Sequence, residues 1–324
     1  MSLTASNVLV TGANGFIGKQ LYKQLQQQSC HIRTLSRSPL SFCNDNWIAD
    51  LAIDPCPSGL CTGIDSVFHL AGKAHALAER QQDNAEYSRI NTEGTRKLLE
   101  AAQHAGVQRF VFFSSVKAVG DSLEQPMDES VTLPADTPYG QSKFAAEQLV
   151  LHGGYVPHPV VIRPCMVYGN SEKGNLPRMI KAIRRGMFPP LPELHNRRSM
   201  VHVDDVVRAA ILAAETSQSK GQTFIVSDGQ NYSTRQLYDL IRAALGKPPV
   251  RWTIPLTFIH SMAKTGDLIG QLSGRRFIID SDTLRKLTSS ACYSSAKITK
   301  ELGFYPQQTL QQSLPIIIRY LNLI

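Results

Sequence analysis

A chain of 324 residues with 42% hydrophobic and 19% charged content can bury a large core in two lobes, which excludes a disordered or fibrous protein. Its 34 basic and 26 acidic residues give a net charge of +8, but the basic residues are scattered and carry no nucleic-acid motif, so attraction for a diphosphate-bearing small molecule explains the charge better. Six cysteines without metal-ligand spacing predict reduced thiols in a cytoplasmic protein and no metal site, and no apolar run is long enough to span a bilayer.

The first strand begins almost at once, so no secretory leader is expected. Strands are predicted at Asn7–Thr11, His31–Leu35, Trp47–Ala49, Ser66–Leu70, Arg109–Ser114 and Val160–Arg163. Between them Ile17, Leu21 and Leu25 recur at helical spacing, as do Leu98, Ala101 and Ala102. This alternation predicts an α/β fold with a doubly wound parallel sheet, a Rossmann fold, over residues 1–165. Thr137-Pro138 is a helix start, with Thr as cap and Pro in the first turn. After residue 165 the alternation lapses into turn-rich stretches such as Phe188-Pro189-Pro190-Leu191-Pro192. Ser233 opens a helix through Leu245 that Gly246 and Pro248 close, and the apolar tail from Leu314 is predicted to be a docked terminal helix. Residues 166–324 are expected to form mainly a smaller α/β substrate-binding lobe, with some segments returning to the first.

The first strand leads into Thr11-Gly12-Ala13-Asn14-Gly15-Phe16-Ile17-Gly18. A strand-to-helix turn with glycines at 12, 15 and 18 lets backbone N–H groups approach a pyrophosphate, whose charge the helix dipole favours. Asp50-Leu51 ends a short strand where an adenine amine can be bound, and Leu70-Ala71-Gly72 ends the next at the carboxyl edge, where such sheets take ligands. After the second strand an acidic residue would accept from the adenosine ribose, whereas an Arg pairs with a 2′-phosphate. Ser36-Arg37 stands there, which leans towards NADPH; a surface charge, or stacking on the adenine of plain NAD, stays open for Arg37.

Tyr139-Gly140-Gln141-Ser142-Lys143 sets a phenol and an ammonium one helical turn apart. A tyrosine ionises near pH ~10, and a neighbouring lysine cation lowers that value towards useful acid–base work. Ser115, at the end of the preceding strand, can donate to a carbonyl oxygen and hold it. Tyr293-Ser294-Ser295-Ala296-Lys297 repeats the spacing but lies outside the βα-repeating region, so Tyr139 and Lys143 are the predicted catalytic pair.

With these residues in place the chain resembles the extended short-chain dehydrogenase/reductase family, in its branch of nucleotide-sugar epimerases, dehydratases and reductases. The resemblance also covers His69-Leu70-Ala71-Gly72, Asn91-Thr92-Glu93-Gly94-Thr95, Phe113-Ser114-Ser115, Arg163-Pro164 and Val167-Tyr168-Gly169. It implies a catalytic triad of Ser115, Tyr139 and Lys143. Implied contacts to NAD or NADP are Gly12, Asn14, Gly15, Phe16, Ile17, Gly18, Arg37, Asp50, Leu51, Leu70, Ala71, Gly72, Asn91, Ser114 and Pro164, beside Tyr139 and Lys143. Gly174-Asn175-Leu176 looks like the segment that grips the nucleotide diphosphate, and Arg198 like the arginine that meets its phosphates, a task suited to a guanidinium. For Arg198 a solvated charge beside Arg197 is the alternative, and His202 is read as structural. A homodimer through the helices near 87–104 and 139–151 is also implied.

The family's 4,6-dehydratases resemble one another in an Asp-Glu pair directly after the active-site Ser or Thr. Here Val116 and Lys117 occupy those positions, so dehydration is not expected. The expected activity is a UDP-hexose or UDP-N-acetylhexosamine 4-epimerase using Tyr139 as acid and base. The alternatives are an NADPH-dependent UDP-4-keto-6-deoxyhexosamine reductase for surface polysaccharide synthesis and a non-catalytic dinucleotide sensor. Lys117 is a candidate sugar contact or a solvent-facing lysine. Val119 and Ser294 depart from the Tyr and Asp that family members often carry, which bears on the sugar.

Overall fold

The computed structural model describes residues 2–73, 84–121, 125–273 and 281–323. Seven strands form one parallel sheet: β1 (Asn7–Thr11), β2 (His31–Ser36), β3 (Asp45–Ile48), β4 (Ser66–His69), β5 (Arg109–Phe113), β6 (His158–Pro164) and β9 (Gln222–Val226). Their order is β3-β2-β1-β4-β5-β6-β9, so the chain reverses direction across the sheet between β1 and β4. At such a switch point the carboxyl ends of neighbouring strands part and leave a crevice. The expected Rossmann sheet is therefore present. The third strand starts earlier than predicted, because Arg33 pairs in register with Asp45 and also binds its carboxylate at 2.8 Å.

Helices cover both faces, as a sheet of nearly continuous apolar strands requires. On one face α1 (Phe16–Gln27) and α6 (Val203–Glu215) pack, and Leu21, Leu25, Val206 and Ala210 meet Val8, Val10 and Phe68. On the other, α3 (Gly94–His104) and α4 (Pro138–His152) bring Leu98, Leu99, Ala146 and Val150 onto Leu9, Val67 and Phe112. The short helix α2 (Asn84–Tyr87) runs through a π-wound stretch, Ser88–Glu93, into α3. Thr137 caps α4 as predicted, its hydroxyl accepting from the Gly140 N–H at 3.1 Å.

A small second sheet has the order β10-β8-β7, from β7 (Met166–Tyr168), β8 (Arg198–His202) and β10 (Asn231–Tyr232). Around it pack α5 (Asn175–Arg184), α7 (Thr234–Ala244) and α11 (Leu310–Tyr320) through Ile180, Ile183, Leu237, Ile241, Leu314 and Ile317. Ser233 and Gln236 form a reciprocal capping box at the start of α7, and the C-terminal helix is docked as expected. Next come α8 (Leu256–Ser273) and α9 (Ser281–Thr288), and α10 (Ala296–Leu302) rests against β9. Among the described residues no helix is long and apolar enough to cross a membrane, and no cluster of metal-ligating side chains occurs.

Candidate active site

The glycine turn sits at the switch point, and its geometry explains its composition. Gly12 has a φ of +71°, and a Cβ there would lie 2.8 Å from the Ala71 nitrogen. At Gly18 an added Cβ would lie 2.1 Å from the Gly12 carbonyl oxygen. Only glycine lets β1, the segment after β4 and the start of α1 approach this closely. Gly15 caps α1 without a side-chain hydrogen bond, which leaves the positive end of the helix to an anion. Asn14 and Gly15 are exposed at the lip, with Phe16 and Ile17 half-buried behind them. A cradle that any side chain would fill, beside a bare helix N-terminus, fits a dinucleotide pyrophosphate.

Beneath the turn runs a hydrogen-bond chain that fixes its own proton positions. The Thr11 hydroxyl accepts from the N–H groups of Leu70 and Ala71 at 3.2 and 3.1 Å, so its hydrogen goes to His69 Nδ1 at 2.6 Å. Thr95 Oγ1 donates to the Asn91 carbonyl at 2.6 Å and so accepts from His69 Nε2 at 3.0 Å. His69 is thereby held as the neutral Nε2–H tautomer. Burial, with the Lys143 charge added, pushes its pKa down to about 3. The chain continues: Asn91 Nδ2 donates to Ser142 Oγ at 3.0 Å, and Ser142 donates to the Tyr139 carbonyl at 2.8 Å. Asn91 Oδ1 also accepts from the Lys73 N–H at 2.8 Å and lies where a Cβ on Gly72 would collide, which gives Gly72 its reason. Thr11, Thr95 and Ser142 lie inside the glycine, Asn91 and Tyr139 motifs, but no spacing along the chain marks them as members of one hydrogen-bond chain.

The remaining cofactor candidates spread along the carboxyl edge. Leu51 is buried against Gly94, while the Asp50 carboxylate turns back to accept from the Ala52 N–H at 3.0 Å. Arg37 is exposed beyond β2, whereas Ser36 is buried and donates to the Ser38 carbonyl. Pro164 ends β6 in register with Val226, and Ser114 Oγ is buried without a hydrogen-bond partner. An orphaned hydroxyl at the carboxyl end of β5 is a polar contact that a bound group would satisfy.

Tyr139 lies in the first turn of α4, half-buried, its ring edge-on to Tyr87 at 5.8 Å between centroids. One turn on, Lys143 is buried and donates to the Phe113 carbonyl at 2.7 Å. Burial draws its pKa down to about 7, and the Glu147 carboxylate works the other way. Glu147 is itself fully buried in a two-point pair with Arg163, at 2.9 and 2.6 Å. Ser115, two residues past Phe113, caps a short turn, Val116–Ala118, by accepting from the Lys117 N–H at 3.2 Å. A Cβ on Gly140 would lie 2.4 Å from the Lys117 carbonyl oxygen, so the start of α4 abuts the serine turn directly. The structure thus brings Ser115, Tyr139 and Lys143 to the junction of β5 and α4.

The substrate candidates are more dispersed. Val116 is buried and Lys117 pairs with Asp121, so neither offers the acid and base of a dehydratase. Asn175 is exposed at the start of α5, while the Leu176 side chain is buried in the small-lobe core. Arg198 is half-buried on β8 and donates to the Ser289 carbonyl at 2.9 Å; burial lowers its pKa, opposed by Asp121 and Tyr293. His202 caps α6 through the Asp204 N–H, as expected of a structural histidine.

Residues 8–227 match the model of the NAD dependent epimerase/dehydratase family. A UDP-glucose 4-epimerase from Vibrio cholerae is 28% identical over 94% of this chain and 92% of its own. An N-acetyl-alpha-D-glucosaminyl-diphospho-ditrans,octacis-undecaprenol 4-epimerase from Escherichia coli O157:H7 is 26% identical over 97% and 95%. Among solved structures, MoeE5 in complex with UDP-glucose and NAD superposes with a TM-score of 0.75 at 26% identity, over 98% of this chain and 99% of that one.

Proposed function

The chain belongs to the NAD dependent epimerase/dehydratase family, and from that membership we propose that it is a UDP-hexose or UDP-N-acetylhexosamine 4-epimerase. The observation that carries this is the clamped Lys143 one turn from Tyr139, beside a serine turn that lacks a dehydratase acid and base. The glycine cradle, with Ser114, Asn91, Leu51 and Pro164 along the edge, would hold the dinucleotide. When bound, its nicotinamide supplies a hydride acceptor and donor. Tyr139 takes the proton from the C4 hydroxyl and later returns it. Lys143 stabilises the phenolate, and Ser115 donates to the C4 oxygen as it becomes a carbonyl. Arg198 and the start of α5 bind the diphosphate, so that the sugar enters at a fixed depth. Residues 1–165 serve as the cofactor lobe and 166–324 mainly as the substrate lobe.

A second reading, NADPH-dependent reduction of a UDP-4-keto sugar, draws support from the exposed Arg37 beyond β2. One experiment separates the two. Purified protein is denatured, the released dinucleotide is identified by mass spectrometry, and UDP-glucose and UDP-N-acetylglucosamine are followed by NMR. Retained NAD with inversion at C4 is the expected result. An empty site that prefers NADPH, with reduction of a UDP-4-keto sugar and no inversion, overturns the epimerase in favour of the reductase. Dinucleotide binding without either turnover would leave only a sensor.

A further inference from the structure

Tyr293 repeats the Tyr-x-x-x-Lys spacing of the catalytic helix, yet its surroundings give it other work. The segment around it is pinned on both sides by backbone. Ala291 bridges Arg198 on β8, its N–H donating to the Arg197 carbonyl at 2.7 Å and its own carbonyl accepting from Ser199 at 3.0 Å. On the other side Met127 donates to the Cys292 carbonyl at 3.0 Å and accepts from the Ser294 N–H at 2.8 Å. The Tyr293 N–H donates to Ser199 Oγ at 2.9 Å. From this fixed backbone the phenol reaches the loop beyond Ser115: its hydroxyl lies 2.7 Å from both the Gly120 carbonyl and Asp121 Oδ1. Asp121 also takes the Lys117 ammonium, and the Lys117 N–H donates to Ser115 Oγ. Gly120 has a φ of +94°, so its loop turns sharply at the point the phenol grips.

We infer that Tyr293 is a positioning residue: it ties the loop bearing Ser115 and Lys117 to the strand bearing Arg198. The inference rests on the proposed activity, in which those two elements read opposite ends of one substrate. Arg198 registers the diphosphate, Ser115 donates to the C4 oxygen, and the tie sets the distance between them. Burial and the Asp121 charge both keep the phenol protonated, so it remains a donor. Lys297, the other half of the repeated spacing, is turned away. Its ammonium donates to Gln222 at 2.7 Å and lies over the Phe224 ring, which seats the start of α10 on β9.

Tyr293→Phe keeps the ring and removes the tie. The expected result is a kcat about tenfold lower, with KM for the UDP-sugar and retained dinucleotide changed less than about twofold. Asp121→Ala, which removes the carboxylate from both Tyr293 and Lys117, is expected to fall at least as far, and the double variant to fall by less than the product of the two single losses, since the Tyr293–Asp121 bond is shared. Amide hydrogen exchange at Ala118–Asp121 should accelerate in Tyr293→Phe, while exchange in β1 stays as in the parent. An unchanged kcat, or a loss matched by lost dinucleotide and faster exchange throughout, overturns the inference. Should the parent protein turn over no sugar nucleotide, the proposed activity fails, and exchange alone then decides the tie: unchanged rates at Ala118–Asp121 refute it.

Discussion

Lys143 Nζ lies 2.7 Å from the carbonyl oxygen of Phe113 and 4.0 Å from the centre of the Phe112 ring. The strand therefore fixes where the amine sits, and the helix spacing carries that position on to Tyr139. Burial also makes the ammonium costly, as its lowered pKa records.

That cost has a sign. A lysine in the unfolded chain ionises near 10.5, and Lys143 in the fold near 7. Between these values the unfolded chain binds the extra proton, so stability of the unliganded protein rises as pH climbs through this window. Below it the full penalty applies. Urea midpoints across the window are expected to climb less in Lys143→Met than in the parent. Equal slopes would show that the amine is not the source.

Tyr139→Phe should lower turnover by about 10³-fold, within the usual worth of a general acid–base group. Retained dinucleotide, measured by absorbance of the denatured supernatant, should stay at the parental level because the glycine cradle is untouched. A variant with near-parental turnover would sink the proposed chemistry.

Gly18→Ala places a methyl 2.1 Å from the Gly12 carbonyl oxygen, a backbone atom that cannot swing aside. A loss of more than about 3 kcal/mol of stability is expected, beyond the ordinary range of single substitutions. Calorimetry should show a lower Tm and the purified protein should carry no dinucleotide. A folded, loaded Gly18→Ala protein would mean that α1 can shift without loss of the site.

His69 carries the acid limb of the stability profile. Its pKa lies near 3 in the fold against 6.5 in the unfolded chain, so the unfolded chain gains a proton that the fold refuses as pH drops. Stability is whole above the unfolded value and should be down by about 2 kcal/mol at about pH 5. His69→Asn, which can still bond Thr11 and Thr95, is less stable at neutral pH but should lose less on acidification. Parallel melting curves in the two proteins across this range would assign the acid limb elsewhere.

What the sequence made legible is what depends on neighbours along the chain. The turn from Gly12 to Gly18, the Thr137 cap and the spacing of Tyr139 and Lys143 are local geometry, and periodicity reads them directly. Strand β9 escaped because its partner β6 lies far upstream and the alternation had already lapsed, so Gln222–Val226 is a strand only by virtue of where it pairs. Long-range side-chain bonds were equally hidden. His69 finds Thr11 across 58 residues, and Tyr293 finds Asp121 across 172. Lys117, open in the sequence between sugar contact and solvent, is paired to Asp121 for a reason only the folded loop displays.

The late arrival of β9 bears on biosynthesis. Val160, Val161 and Ile162 of β6 are completely buried, and their outer backbone edge is covered only when residues 222–226 reach it. Until the ribosome has delivered that segment, the nascent sheet ends in a bare apolar strand, the kind of edge that recruits other chains. A fragment stopped at residue 165 should collect in inclusion bodies, whereas the full chain, whose later helices also cover the small-lobe core, should stay in the supernatant. The polypeptide is therefore open to wrong pairing across the interval between the two strands.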